Sequence, residues 1–143
     1  MASITISVPD LQRVGPIIEA LSVAVGSPVE EALRAAKQPI PTPVQLVGMI
    51  DTGATGTVIQ DGIAAKLRLQ PVGTVYINTP SSANVLCYRY TVRFLFPNNV
   101  VVDSIVIEAP LQGQPIQCLI GRDILAHGVF VYIGYMNQFT LSF

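Results

Sequence analysis

Short apolar or alternating runs recur along this chain, punctuated by glycine, proline and small polar residues. Ile4 to Val8 alternates and stops at Pro9-Asp10, which predicts a short peripheral strand. Gly15-Pro16 opens a longer strand pattern, Ile17 to Val25, closed by Gly26. A different period follows, with Val29, Leu33 and Ala36 on one helical face. Ser27 is placed to N-cap this helix, Pro28 suits its first turn, and Glu30 can complete a capping box. Arg34 and Lys37 lie at the negative end of its dipole. The pattern predicts a helix over 27–37, inserted into a β domain and stopped by Pro39, with Pro41 and Pro43 stiffening the exit.

Strand patterns then resume. Val44 to Ile50 is an apolar strand running straight into Asp51-Thr52-Gly53-Ala54, and Asp61 to Leu67 predicts a short helix. Thr74 to Thr79 and Cys87 to Phe96 read as strands flanking the polar tip Pro80-Ser81-Ser82-Ala83-Asn84, a projecting hairpin. Pro97-Asn98-Asn99 turns the chain into Val100 to Glu108. Ile116 to Ile120 runs to Gly121-Arg122-Asp123, and Ile124 to His127 forms one or two helical turns stopped by Gly128. Val129 to Ile133 and Phe139 to Phe143 make a terminal hairpin. The expectation is one all-β domain over 1–143 with one or two short helices.

Composition narrows the function classes. Half of the 143 residues are hydrophobic and 12% are charged, which excludes a disordered or solvating segment. Eight Lys and Arg against nine Asp and Glu give no basic surplus for nucleic acid. Charges or prolines interrupt every apolar run before membrane-span length, and Met1-Ala2-Ser3-Ile4-Thr5 lacks the basic start of a secretory signal. The expected setting is therefore the cytoplasm, with no membrane partner and with Cys87 and Cys118 as free, apolar fillers. Those two cysteines and the lone His127 have no metal-ligand spacing, so neither a metal nor another cofactor is expected. Asp61 and Glu108 read as solvated carboxylates.

The chemistry concentrates at Asp51. A carboxylate between an apolar strand and a Thr-Gly turn needs a partner, because an unpaired buried charge costs several kcal/mol or shifts its pKa. Gly53 permits a tight turn and close approach, and the Thr52 hydroxyl can bond across to a neighbouring chain. The plain alternative is an Asx turn ending a strand in a monomeric structural domain. A second segment bears on that choice: Leu119-Ile120-Gly121-Arg122-Asp123 sets two large apolar residues and a glycine before an Arg-Asp pair.

With both segments in hand, the sequence resembles the retropepsin-like aspartic peptidases, retroviral and bacterial, and looks closest to the bacterial single-lobe members. An apolar-apolar-Asp-Thr-Gly-Ala loop, a flap hairpin and an apolar-apolar-Gly-Arg-Asp segment occur in that order at Ile50 to Ala54, Tyr76 to Tyr90 and Leu119 to Asp123. The resemblance covers roughly the last two-thirds of the chain and implies a closed β-barrel. It implies that Asp51 is the catalytic carboxylate and that Thr52 bonds the two active-site loops together across a dimer. By the same resemblance Gly53 lies under the substrate backbone, Ala54 fixes the loop, and Gly121, Arg122 and Asp123 support it. Met49, Thr55 and Leu119 become candidates for substrate pockets, and Pro80 to Asn84 for the flap tip. Two departures stand out: this tip has no glycine, and Thr55-Gly56 replaces acidic residues of the retroviral enzymes.

Aspartic peptidase chemistry needs two facing carboxylates sharing a proton, and this chain has a single Asp-Thr-Gly. The expected assembly is a homodimer acting on a peptide or protein substrate, with an acidic to mildly acidic optimum. Gln138 to Phe143 and Ser3 to Val8 are candidates for the dimer sheet, because family members commonly pair their termini. The alternative of another class is the same dimeric barrel, catalytically idle, binding a peptide or partner protein.

Overall fold

The computed structural model describes residues 1–78, 82–111 and 113–143. The expected runs appear there as strands β1 (Ser3–Ser7) and β2 (Ile17–Val25), with a one-turn helix α1 (Leu11–Val14) between them. Helix α2 (Ser27–Ala35) leads to β3 (Val44–Ile50), the three-residue β4 (Val58–Gln60) and helix α3 (Ile63–Lys66). Then come β5 (Gly73–Ile77), β6 (Val85–Leu95), β7 (Val101–Ala109) and β8 (Cys118–Ile120). Helix α4 (Arg122–Leu125), β9 (Val129–Ile133), a 3-10 turn and β10 (Gln138–Ser142) complete the chain. The pattern gave no sign of α1 or β4, which are too short to show a period.

Strands β2, β3, β8, β4, β7 and β6 pair in that order, and β6 returns to β2, closing a six-stranded barrel with few short helices around it. Closure depends on the length of β6. One edge of it runs along β7 from Tyr88 to Leu95, while the other pairs β5 over Val85 to Arg89 and β2 over Val92 to Leu95. The barrel interior holds Ile18, Leu21, Val23, Ile59, Val92, Phe94, Val106 and Ile120, each fully buried. Gly48 belongs to the same filling: a Cβ there would meet Leu21 Cδ2 at 2.8 Å, so only glycine leaves that leucine its place.

The termini form a separate sheet ordered β1-β10-β9. Phe139 and Leu141 of β10 bury their side chains on the barrel side, and Phe96 meets Phe143 at 5.2 Å between ring centroids. The expected terminal hairpin, β9 to β10, is present. Ser3 to Ser7 pairs with Ser142 to Gln138 within one chain.

Three local expectations are corrected. Gly26, not Ser27, caps α2, because the Ser27 hydroxyl donates to Asp103 Oδ2 at 2.9 Å and accepts from Arg93 Nη2. Glu30 completes no capping box; it takes Arg34 at 2.7 Å and Arg93 at 2.8 Å, pinning α2 to β6. The Arg34 hydrogen bond, more than any other contact, holds the Glu30 carboxyl below its ordinary range. Glu108 is not simply solvated, since it accepts the Ala64 amide of α3 at 2.9 Å.

Both cysteines are free and buried. Burial raises the pKa of each thiol, with Asp61 adding to the effect at Cys87 and Asp123 at Cys118. A raised pKa leaves little thiolate at neutral pH, so native protein at pH 8 should resist Ellman's reagent and react fully at both sites in urea. Fast labelling of either thiol in the native protein would contradict this packing.

Candidate active site

The site begins with a register. Strands β3 and β8 lie parallel, Gly48 opposite Cys118, Met49 opposite Leu119 and Ile50 opposite Ile120. Parallel strands finish at the same end of a sheet, so Asp51 and Gly121 leave the barrel side by side. The Asp51 amide continues the ladder, donating to the Ile120 carbonyl at 2.9 Å.

Past that point the chain turns sharply. Asp51 Oδ1 accepts the Gly53 amide at 2.9 Å, and the Ala54 amide reaches the Asp51 carbonyl at 3.1 Å. The Asx-turn geometry is thus present, and it orients the carboxylate. No side-chain cation or hydroxyl pairs with Asp51 among the described residues. Asp51 is half-buried, while Thr52 and Gly53 are exposed.

The second segment grips this loop from behind. Arg122 donates through Nη1 to the Thr52 carbonyl at 2.8 Å and through Nη2 to Thr55 Oγ1 at 3.2 Å. Its amide bonds the Ala54 carbonyl at 2.9 Å, and the Asp123 amide bonds the Thr55 carbonyl at 3.2 Å. Gly121 lies against Gly56: a Cβ there would stand 2.7 Å from the Gly56 carbonyl carbon and oxygen. Only a residue without a side chain admits that approach.

The centre of the knot is Thr57, which the sequence reading did not single out. It is fully buried. Its hydroxyl donates to Asp123 Oδ1 at 2.7 Å and accepts the Gly121 amide at 3.0 Å, while its own amide donates to Asp123 Oδ2 at 3.1 Å. Asp123 Oδ1 also takes the Ile124 amide at 2.9 Å, a local bond within the first turn of α4, whose N-cap is Gly121. The only signal in the sequence was a hydroxyl residue directly ahead of the apolar pair Val58-Ile59.

Of the pocket candidates, Met49 and Leu119 are neighbours across the β3–β8 ladder, both half-buried. Met49 walls a cavity of about 270 Å³ with Val14, Ile17, Glu19, Val47, Gln114 and Ile116; neither Leu119 nor any residue of the Asp51 loop is in its lining. Thr55 is held by Arg122 and is exposed. Of the expected flap tip, Pro80 and Ser81 lie outside the described residues, and Ser82, Ala83 and Asn84 are exposed. Asn84 takes a left-handed conformation with φ 54°, the turn position glycine would fill, and its amide donates to Asn78 Oδ1 at 3.0 Å. Tyr76 and Tyr88 are exposed on the hairpin, whereas Tyr90 is buried in the barrel.

A barrel of this kind with an Asp-Thr-Gly loop braced by Gly-Arg-Asp is retropepsin-like. The chain is similar over 99% of its length to a retropepsin-like aspartic protease from Rickettsia conorii, at 18% identity, 90% coverage of that chain and a TM-score of 0.57. The retroviral protease-like domain of Ddi1 from Leishmania major gives 12% identity over 87% of each chain, with a TM-score of 0.44. No match was found among curated proteins. The sequence profile of the aspartyl protease family matches residues 42–124, more than half of the chain, and the protein belongs to that family.

The knot makes a measurable demand on stability. In Thr57→Val the Asp123 carboxylate and the Gly121 amide lose a buried partner at once, which should cost about 2–4 kcal/mol in urea unfolding. Thr57→Ser keeps the hydroxyl and should lose less than about half of that. A larger loss in Thr57→Ser than in Thr57→Val would show that the methyl group, which valine keeps, and not the hydrogen bonds carries the effect.

Proposed function

We propose that this protein is an aspartic endopeptidase acting as a homodimer, in which Asp51 of each subunit supplies half of the catalytic pair. The observation that carries this reading is the single Asp51-Thr52-Gly53 loop, braced from behind and open in front, in a chain of the aspartyl protease family. One carboxylate per chain cannot serve as both base and acid. Two of them related by a two-fold axis can.

Like charges that close cannot both ionise, so the pair holds one proton between them. The ionised carboxylate takes a proton from a water molecule as its oxygen attacks the scissile carbonyl carbon. The protonated one gives its proton to the carbonyl oxygen, leaving a neutral gem-diol. Collapse of the diol breaks the C–N bond, with a proton passing from the carboxyl pair to the departing nitrogen and the diol proton returning to the pair. The rigid grip of Arg122 and Asp123 on residues 52–57 supports this role, because a small misplacement of a carboxylate costs orders of magnitude in rate. The Thr52 side chain, exposed and without a partner among the described residues, suits a bond to the facing loop.

The test is cleavage of a diverse peptide library across roughly pH 3–7 by wild type and Asp51→Asn. Wild type should give a bell-shaped profile, losing activity as the shared proton is removed at higher pH and as the second is added at lower pH. Asp51→Asn should lower kcat/KM by at least about 1,000-fold while the protein stays folded. Peptide binding without turnover by either protein would assign the barrel to a binding role instead.

A further inference from the structure

A site that needs two copies raises the question of which surface receives the second, and the answer here rests on the peptidase reading above. The terminal strands are already committed to each other. Strand β10 pairs with β1 from Gln138 to Ser142, and the Ala2 and Phe143 backbones extend the ladder with two 3.0 Å bonds. Ser3 and Ser142, and Thr5 and Thr140, join their hydroxyls along its outer face at 2.7 and 2.8 Å. The other edge of β10 is filled by β9. No edge of β10 remains for a second chain, so the expectation that it joins subunits does not fit this arrangement.

Two strand edges of the terminal sheet remain open among the described residues, those of β1 and β9. They differ in chemistry. Strand β1 turns Ser3, Thr5 and Ser7 outward. On the same face β9 carries Val129, Val131 and Ile133, with Val129 48% and Val131 44% exposed. The strand contains no charge and no proline, the usual guards of an open edge. Tyr132 on its other face is 48% exposed, and Tyr135 just beyond is 91% exposed. Strand β9 also starts at the end of the barrel that carries Asp51. It follows α4 directly, and α4 is bonded to residues 52–55.

We propose that β9 pairs antiparallel with β9 of a second copy, joining two terminal sheets into one of six strands with β9 at its centre. With the two-fold axis at the midpoint of the strand, the register that pairs all five residues, Val131 stands beside its counterpart. The unpaired backbone groups of the edge are satisfied by the partner, and the valine stripe leaves water with it.

Sedimentation of wild type, Val131→Lys and Thr5→Lys tests this directly. Val131→Lys sets two like charges together and should raise the dimer dissociation constant at least about 100-fold. It should lose peptide cleavage in parallel and keep its circular dichroism. Thr5→Lys, on the other open edge, should stay dimeric. Mixing Val131→Lys with Val131→Glu should restore both the dimer and cleavage. A wild type that is monomeric at all concentrations, a dimeric Val131→Lys protein, or a mixture that fails to recover overturns the interface. A dimer obeying all these rules with no cleavage by wild type leaves the interface standing and removes the peptidase. Should Val131→Lys misfold, amide exchange of wild type decides: β9 should gain protection with protein concentration while β1 does not, and the reverse overturns the proposal.

Discussion

The parallel pairing of β3 and β8 is the constraint from which the site follows. Antiparallel neighbours would place Asp51 and Gly121 at opposite ends of the barrel. With Ile50 beside Ile120, both strands release their chains at one rim, and the Asp51 amide can continue the ladder. Parallel pairs need a long crossover, and here it holds three of the other barrel strands. The chain between Ile50 and Cys118 supplies β4, β5, β6 and β7, and β4 then closes against β8 from its other side. The barrel cannot form without bringing the two loops together. The chemistry sits where closure is completed.

That rim must also bury polar groups, and Thr57 with Asp123 resolves the cost. A carboxylate next to a packed barrel end is stable only when its oxygens are occupied. Asp123 accepts from Thr57 twice and from Ile124 once, while Gly121 gives its amide to the Thr57 hydroxyl. The three bonds of Thr57 tie the end of one loop to the start of the other, and the Ile124 bond fixes the carboxylate locally. Arg122 adds a layer on the exposed side, reaching the Thr52 carbonyl. Asp51 is thereby fixed by its own backbone amide, by the Gly53 amide and by the braced loop that follows it, and stays half-buried.

The sequence carried much of this in period and punctuation. Short apolar runs ending at glycine, proline or a turn marked β2, β3, β6 and β7, and the Asp51-Thr52-Gly53 and Gly121-Arg122-Asp123 segments marked the two loops. What escaped was whatever depends on a distant partner. Thr57 reads as an ordinary strand-leading threonine until Asp123 is beside it. Ser27 looks like an N-cap because local sequence cannot show that Asp103 and Arg93 claim its hydroxyl. Glu108 looks solvated until α3 presents the Ala64 amide. The terminal strands look available to another subunit because alternation specifies a buried face but not the chain that covers its edge.

A fully enclosed barrel with a single Asp51 loop in each chain would, on the homodimer reading, separate folding from activity. The large buried side chains, Phe94, Phe139, Leu21 and Ile120 among them, are covered within one chain, so the hydrophobic driving force for folding does not wait for a partner. The strand edges and the open front of Asp51 are what remain unsatisfied. If the second carboxylate comes from a second copy, stability is set by a unimolecular equilibrium and catalysis by a bimolecular one. Dilution would then switch off the chemistry without unfolding the protein, and the small, uncharged β9 edge would be the element that sets the concentration at which this happens.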